Sequence, residues 1–125
     1  MITLSLEHIL EIHAIVIEET GGPNGLRDLG RLESAIATQT QNVFGQELYE
    51  TVIRKAAAMI RNTIIDHPFV DGNKRTAMLA GLTFLKLNTI NVKFEAREIE
   101  DFAVSVVTNH LAIEEIDSWI TKHVV

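Results

Sequence analysis

The chain has 125 residues, of which 46% are hydrophobic and none is cysteine, and its formal net charge is −6. This length suits one domain spanning residues 1–125, and the lack of cysteine excludes disulfides and zinc–thiolate sites and fits a reducing cytoplasm. The acidic balance, and the absence of any apolar run near about 18 residues, lead us to expect neither direct nucleic-acid binding nor a membrane span.

Mostly apolar residues recur at three- and four-residue spacing in the first third of the chain, which predicts two helices. The first opens near Ser5 and ends at residues 21–23, Gly-Gly-Pro, because glycine caps a helix and proline forbids its continuation. Asp28 is the predicted cap of the second. The periodic positions are Leu6, Ile9, Leu10, His13, Ile17, Leu32, Ala35 and Ile36. His8 and His13 lie about 140° apart around the first helix, so we interpret them as surface or satisfied polar groups rather than metal ligands.

The rest of the chain predicts four more helices. Residues 38–45 are polar and predict a loop or short hairpin, after which a long helix begins at about Glu47. Its predicted buried side is Val52, Ile53, Ala56, Ala57, Ile60 and Ile64, and its charged residues Arg54, Lys55 and Arg61 are interpreted as a solvated face. Helical spacing resumes with Met78, Leu79, Leu82 and Leu85, and two further helices are predicted at about residues 95–108 and 113–123. We therefore predict an all-α fold, a compact bundle of about six helices.

The stretch HPFVDGNKRTA, residues 67–77, interrupts the helical pattern and concentrates polar residue types. Pro68 disfavours the α conformation at the preceding residue, so the long helix must end near His67. The triplet Asp-Gly-Asn that follows is turn chemistry, and Asn73 or Asp71 is the predicted cap of the next helix.

Lys74 and Arg75 would then occupy the first turn of that helix, which is the wrong end for cations because the helix dipole is positive there. The placement makes sense if an anion binds, since free backbone N–H groups and two cations form a phosphate site, and Gly72 lets a ligand approach the backbone. Asp71 would hold magnesium beside substrate phosphates, and His67 would accept a proton from an attacking hydroxyl. These residues point to phosphoryl or nucleotidyl transfer. An ordinary turn, a solvated Lys-Arg pair and a structural histidine are the alternative interpretation.

The same stretch resembles the signature of a known family. His-Pro-Phe-x-Asp-Gly-Asn-Lys-Arg looks like the motif of the Fic/Doc (Fido) superfamily, and the lysine at position 74 makes it similar to the Doc branch, the death-on-curing toxins of toxin–antitoxin modules. Residues 21–28 followed by 32–35 resemble the family's N-terminal segment, and residues 76–85 resemble the helix after its loop. The likeness runs from about Leu4 to the last helix.

This resemblance implies a fold, cofactors and site residues. It implies an all-α Fido fold with the active-site loop between two central helices, ATP as donor and Mg²⁺ as cofactor. By position, His67 would be the general base and Asp71 the magnesium ligand. Phosphate contacts would come from Gly72, Asn73, Lys74 and Arg75, and Pro68 and Phe69 would anchor the motif. The family's flap, which holds target backbone by strand-like pairing, would correspond to Gln41, Asn42, Val43, Phe44, Gly45 and Gln46.

Two departures from the AMP-transferring Fic enzymes bear on the reaction. Those enzymes generally have glycine where this chain has Lys74 and a second arginine where it has Met78. In Doc-like proteins this goes with an inverted nucleotide and transfer of the γ-phosphate to a protein hydroxyl, with elongation factor Tu as the target and arrest of translation as the result. AMP transfer to a protein hydroxyl, or a non-catalytic nucleotide- or partner-binding module, are the alternatives.

Control of such a toxin is the last implication of the resemblance. Fic proteins often carry an inhibitory Ser/Thr-x-x-x-Glu-Gly/Asn helix, and the nearest match here, residues 3–7, is followed by His8. We therefore expect inhibition in trans by a cognate antitoxin, through a helical segment laid into an apolar groove.

Overall fold

The computed structural model describes residues 1–125 and contains six α-helices and one small hairpin. The helices are α1 (Leu6–Thr20), α2 (Leu29–Ala37), α3 (Val52–Asp66), α4 (Asn73–Leu87), α5 (Ala96–Thr108) and α6 (Ile113–Lys122). The strands are β1 (Asn42–Val43) and β2 (Gln46–Glu47), paired antiparallel. The predicted all-α architecture of about six helices is confirmed. None of these helices combines the length and the apolar character that a membrane crossing requires.

The first three helices begin at side-chain caps, which satisfy N–H groups that a helix leaves free at its start. The Ser5 hydroxyl accepts from the N–H of His8, the Asp28 carboxylate from Arg31, and the Thr51 hydroxyl from Arg54. The cap at Asp28 is the one that the sequence predicted, and α1 begins near Ser5 as predicted. The predicted start of the long helix at Glu47 is wrong, because that residue belongs to β2 and Thr51 supplies the cap.

Helices α3 and α4 form the centre of the molecule, and α3 also packs against α2, α5 and α6. Small residues let them approach closely: a Cβ on Gly81 of α4 would lie 2.5 Å from two side-chain carbons of Ile60. The largest fully buried apolar side chains are Phe69, Phe84, Leu32, Met59, Ile60, Ile64, Met78, Leu85, Ile116, Ile120 and Val16. Burying them supplies the main driving force for folding, about 25 cal/mol per Å² of apolar surface.

A two-residue turn closes the hairpin between α2 and α3. Phe44 and Gly45 both have positive φ, 50° and 79°, which is the geometry that suits the twist of a tight hairpin. The Phe44 side chain is fully exposed. At the base, the Lys55 ammonium contacts the Glu47 carboxylate at 3.1 Å and donates to the Tyr49 carbonyl. Lys55 is buried, so its interpretation as part of a solvated face is wrong.

Candidate active site

The loop of residues 67–72 joins the end of α3 to the start of α4, which places it between the two central helices. His67 is the C-terminal cap of α3, with left-handed backbone at φ 49° and ψ 62°. Its carbonyl accepts a hydrogen bond from Arg27 Nε at 2.7 Å. Its imidazole is exposed and makes no hydrogen bond within the protein, so both ring nitrogens are available to a substrate.

Two arginines hold the end of α3. Arg27 and Arg31 each donate to the Asp66 carbonyl at 2.8 Å, in addition to the bond from Arg27 to His67. Cations at a helix C-terminus match the negative end of its dipole and satisfy carbonyls that lack helical partners. The backbone that carries the His67 imidazole is therefore fixed by Arg27, from the segment before α2, and by Arg31, from the first turn of α2.

Residues 25–28 also pair with the loop through their main chain. Arg27 and Asp28 donate N–H groups to the Pro68 carbonyl at 2.7 and 3.0 Å, and Val70 donates to the Gly25 carbonyl at 3.0 Å. The glycine-rich segment and the motif, which are separated by some forty residues of sequence, thus form one hydrogen-bonded unit.

Phe69 is the buried anchor of the loop, 1% exposed, as the sequence predicted. The Asn73 amide closes a ring with it, accepting from the Phe69 N–H and donating to the Phe69 carbonyl, both at 2.9 Å. The prediction that Asn73 or Asp71 caps α4 is wrong. Asn73 is already the first residue of the helix, and Gly72 occupies the cap position. The loop engages one N–H and the oxygen of the Asn73 amide, which fixes its orientation, and the backbone N–H of Asn73 stays open for the predicted phosphate contact.

Helix α4 begins without a side-chain cap. Gly72 has φ 79°. The first main-chain hydrogen bond of the helix runs from the Thr76 N–H to the Gly72 carbonyl at 2.9 Å. The N–H groups of residues 73–75 have no acceptor in the protein, and such open N–H groups are what an anion site at a helix start requires. A Cβ on Gly72 would lie 3.2 Å from Val16 and 3.3 Å from Ile17, so this glycine is required for its conformation and for packing on α1.

Of the charged side chains around the start of α4, one forms an ion pair and two do not. Lys74 is exposed and has no ion pair, whereas Arg75 contacts the Glu100 carboxylate of α5 at 3.2 Å. The Asp71 carboxylate is exposed, makes no hydrogen bond and lies against the backbone of Gly22, where a Cβ would collide with it. One free cation and one free carboxylate therefore border the open N–H groups.

Comparison with known proteins identifies the family. The model of the Fic/DOC family matches residues 3–85. The chain belongs to the Fic/DOC family. It is 36% identical over 98 residues to "Toxin Doc" of Mycolicibacterium smegmatis, covering 77% of this chain and 75% of that protein. It is 30% identical over 119 residues to "Protein kinase doc" of Escherichia phage P1, covering 95% and 93%.

The donor set of this Fic/DOC chain fits a metal that arrives with phosphates. No cluster of three or more His, Cys, Asp or Glu side chains could hold an ion by itself. Magnesium is usually bound through one or two carboxylates plus substrate phosphates. The free carboxylate of Asp71, next to the uncapped start of α4, fits that mode of binding.

Met78 has an uncharged side chain, which is 1% exposed and belongs to the core. Beyond it, α4 and α5 border an open groove of about 440 Å³. The groove is lined by Glu19, Lys74, Arg75, Met78, Leu79, Leu82, Ala96, Ile99, Glu100, Ala103 and Val104. It begins at the cations of the Fic/DOC motif and continues along apolar side chains.

Sequence reasoning missed two residues that hold the Fic/DOC loop. Arg27 gave no signal beyond its place in the N-terminal segment that resembles the family. His13 did give a signal, because it falls on the periodic face of the first helix in the sequence. In the structure its side chain is only 3% exposed. Its Nε2 lies 2.9 Å from the Asp71 carbonyl, which agrees with its interpretation as a satisfied polar group.

Proposed function

We propose that the protein is the toxin of a toxin–antitoxin module and transfers the γ-phosphate of ATP to a hydroxyl side chain of a protein. The observation that carries this proposal is the free imidazole of His67 beside an uncapped helix start with an unpaired lysine. The names of the two relatives, a toxin and a protein kinase, support the same activity.

Each site residue has a distinct task in this proposal. His67 takes the proton from the acceptor hydroxyl, whose oxygen bonds to the γ-phosphorus while the bond from that phosphorus to ADP breaks. The N–H groups of residues 73–75, with Lys74 and Arg75, bind the phosphate oxygens. Asp71 binds Mg²⁺, which neutralises phosphate charge when it is present. Gly72 supplies the left-handed turn, and Pro68 and Phe69 anchor the loop.

The rival reaction is AMP transfer, and Lys74 and Met78 are the residues that favour phosphate transfer. The test is to incubate the protein with its target and ATP labelled at the γ- or the α-phosphate. We expect label on the target only from the γ-position, and label only from the α-position would replace the kinase proposal by AMP transfer. A His67→Ala variant should lose transfer and toxicity while keeping the unfolding temperature of the native protein.

For the target, we propose elongation factor Tu, so that phosphorylation in the cytoplasm arrests translation. The hairpin of residues 42–47 supports a flap that aligns the target, because its exposed strands leave backbone groups free to pair with an extended segment. Mass spectrometry of elongation factor Tu after the reaction should find a gain of one phosphate. An unmodified factor with another labelled protein in the extract would replace this target.

For the antitoxin, we propose a helical segment that lies in the groove between α4 and α5. The groove has the apolar lining that an amphipathic helix needs, with Lys74 and Arg75 at one end for its acidic residues. A Leu79→Asp variant in this groove should escape neutralisation by the antitoxin while keeping its transfer activity. Continued neutralisation of that variant would place the antitoxin elsewhere.

A further inference from the structure

His13 lies on α1, 58 residues before the loop that it contacts. Its Nε2 is 2.9 Å from the Asp71 carbonyl oxygen, and the side chain is 3% exposed. A carbonyl oxygen only accepts hydrogen bonds, so Nε2 must carry the proton. The contact therefore fixes the ring tautomer and ties the peptide group after Asp71 to α1.

The same helix supports the loop at the positions on either side. The His13 ring stacks on the buried Phe69 ring, with centroids 3.8 Å apart and planes 7° from parallel. Val16 and Ile17 pack against Gly72, where a Cβ would meet them at 3.2 and 3.3 Å. Helix α1 thus contacts the anchor before Asp71 and the left-handed turn after it.

The hydrogen bond from His13 to the Asp71 carbonyl restrains a peptide group that lies within the candidate site. The Asp71–Gly72 peptide connects the free carboxylate to the residue whose conformation starts α4. Rotation of that peptide would move the carboxylate and redirect the open N–H groups of residues 73–75 together. The buried ring N–H of His13 needs an acceptor, and the acceptor that it has is the carbonyl of this peptide.

We propose that His13 is a positioning residue, which holds the Asp71 carboxylate and the start of α4 in register for ATP and Mg²⁺. This proposal rests on the proposed function. His13 touches neither substrate nor metal in it, and acts only through the Asp71 carbonyl and the Phe69 ring.

The test compares His13→Gln with His13→Met. Both side chains have the length of histidine up to Nε2, and both lose the stack on Phe69, but only glutamine keeps an N–H donor at the end. We expect similar unfolding temperatures for the two variants. In the methionine variant alone, we expect about tenfold faster hydrogen exchange at the bonded loop amides of Phe69, Val70 and Thr76. We also expect about tenfold weaker calorimetric binding of ATP–Mg²⁺ in that variant.

A spectroscopic signature adds to this comparison. The ¹⁵N spectrum of the native protein should show His13 as the Nε2-protonated tautomer, and the other tautomer would overturn the proposal. Equal exchange in the two variants would overturn it, as would faster exchange with unchanged ATP–Mg²⁺ binding. Failure of the native protein to bind ATP–Mg²⁺ would instead contradict the proposed function. The exchange comparison detects the role of His13 in the loop without any nucleotide, so the two failures are distinguishable.

Discussion

At the scale of single residues, Arg75 is the site cation whose charge already has a partner. Its contact with Glu100 joins two exposed side chains, and such pairs contribute about 0–1 kcal/mol. A phosphate that binds Arg75 competes with Glu100 for it. We expect Glu100→Gln to strengthen ATP–Mg²⁺ binding by up to about fivefold in calorimetry at low salt.

The matched control is Asp101→Asn, the next acidic residue of α5, which has no ion pair. It removes the same charge from the same helix without freeing Arg75. An equal gain in both variants would show a general effect of net charge, and the competition for Arg75 would then be wrong.

Residue chemistry predicted the local features of the site and missed its long-range contacts. Pro68 correctly predicts that α3 ends near His67, which is its C-terminal cap, and Phe69 is buried as expected. The periodic pattern predicts that His13 lies on the buried face of α1, but it does not predict that the loop of residues 67–72 packs against this side chain. Asn73 has the right chemistry for a cap, but its amide satisfies the main chain of Phe69 instead, because buried backbone groups must find partners.

At the scale of elements, helix limits follow the sequence wherever a cap stands beside an apolar period. The start of α1 at Ser5, its end at Gly21 and the start of α2 at Asp28 are such cases. The start of α3 is an exception, because its cap Thr51 does stand before the apolar Val52, whereas the prediction begins the helix near Glu47. The pairing of β1 with β2, the bond from the Leu48 N–H to the Gln41 carbonyl and the contacts of Lys55 hold residues 47–50 in a non-helical path.

The crossing of α3 and α4 depends on Gly81. A Cβ there meets Ile60 at 2.5 Å inside the core, and overpacking of this kind costs about 1–3 kcal/mol. The gain in helix propensity from glycine to alanine returns about 1 kcal/mol. We therefore expect Gly81→Ala to lower the free energy of unfolding by about 1 kcal/mol in denaturant titrations.

Gly30→Ala provides the opposite case within α2. Its Cβ would have only an ordinary contact, 3.4 Å from the Asp28 carboxylate, so the propensity gain remains. We expect this variant to be more stable by about 0.5–1 kcal/mol. If Gly81→Ala were stabilising as well, the close approach of α3 and α4 would not limit this position.

At the scale of the whole molecule, ties between distant segments could not be inferred from a single sequence. The C-terminal end is held by a bridge between Val92 and Val124 and by the bond from the Lys93 N–H to the His123 carbonyl. Arg54 Nε donates to Asp117 at 2.7 Å and connects α3 to α6. Residue type and hydrophobic periodicity report local structure, whereas contacts between distant residues depend on how the helices pack.

A further contact between distant segments joins Glu98 of α5 to His123, and we expect it to be sensitive to acid. Its carboxylate accepts from the Glu95 N–H at 3.1 Å and lies 3.0 Å from His123 Nε2, and these contacts, the first above all, hold its pKa below the ordinary value. Stability from a depressed carboxyl pKa is complete above the unfolded value, about 4.3, and is lost as pH falls through the folded value. We expect Glu98→Gln to be less stable than the native protein near about pH 7, and the gap to close on acidification.

Urea titrations of both proteins between about pH 7 and pH 3 measure this gap. Glu33→Gln is the control, because Glu33 is an exposed carboxyl of α2 without a hydrogen bond or ion pair. Its stability curve should run parallel to that of the native protein through the same range. A constant gap for Glu98→Gln down to pH 3 would mean that the loss comes from shape or helix propensity, since only a titrating contact makes the difference depend on pH. Closure of the gap in Glu98→Gln alone would assign this acid sensitivity to the carboxylate that joins the start of α5 to His123.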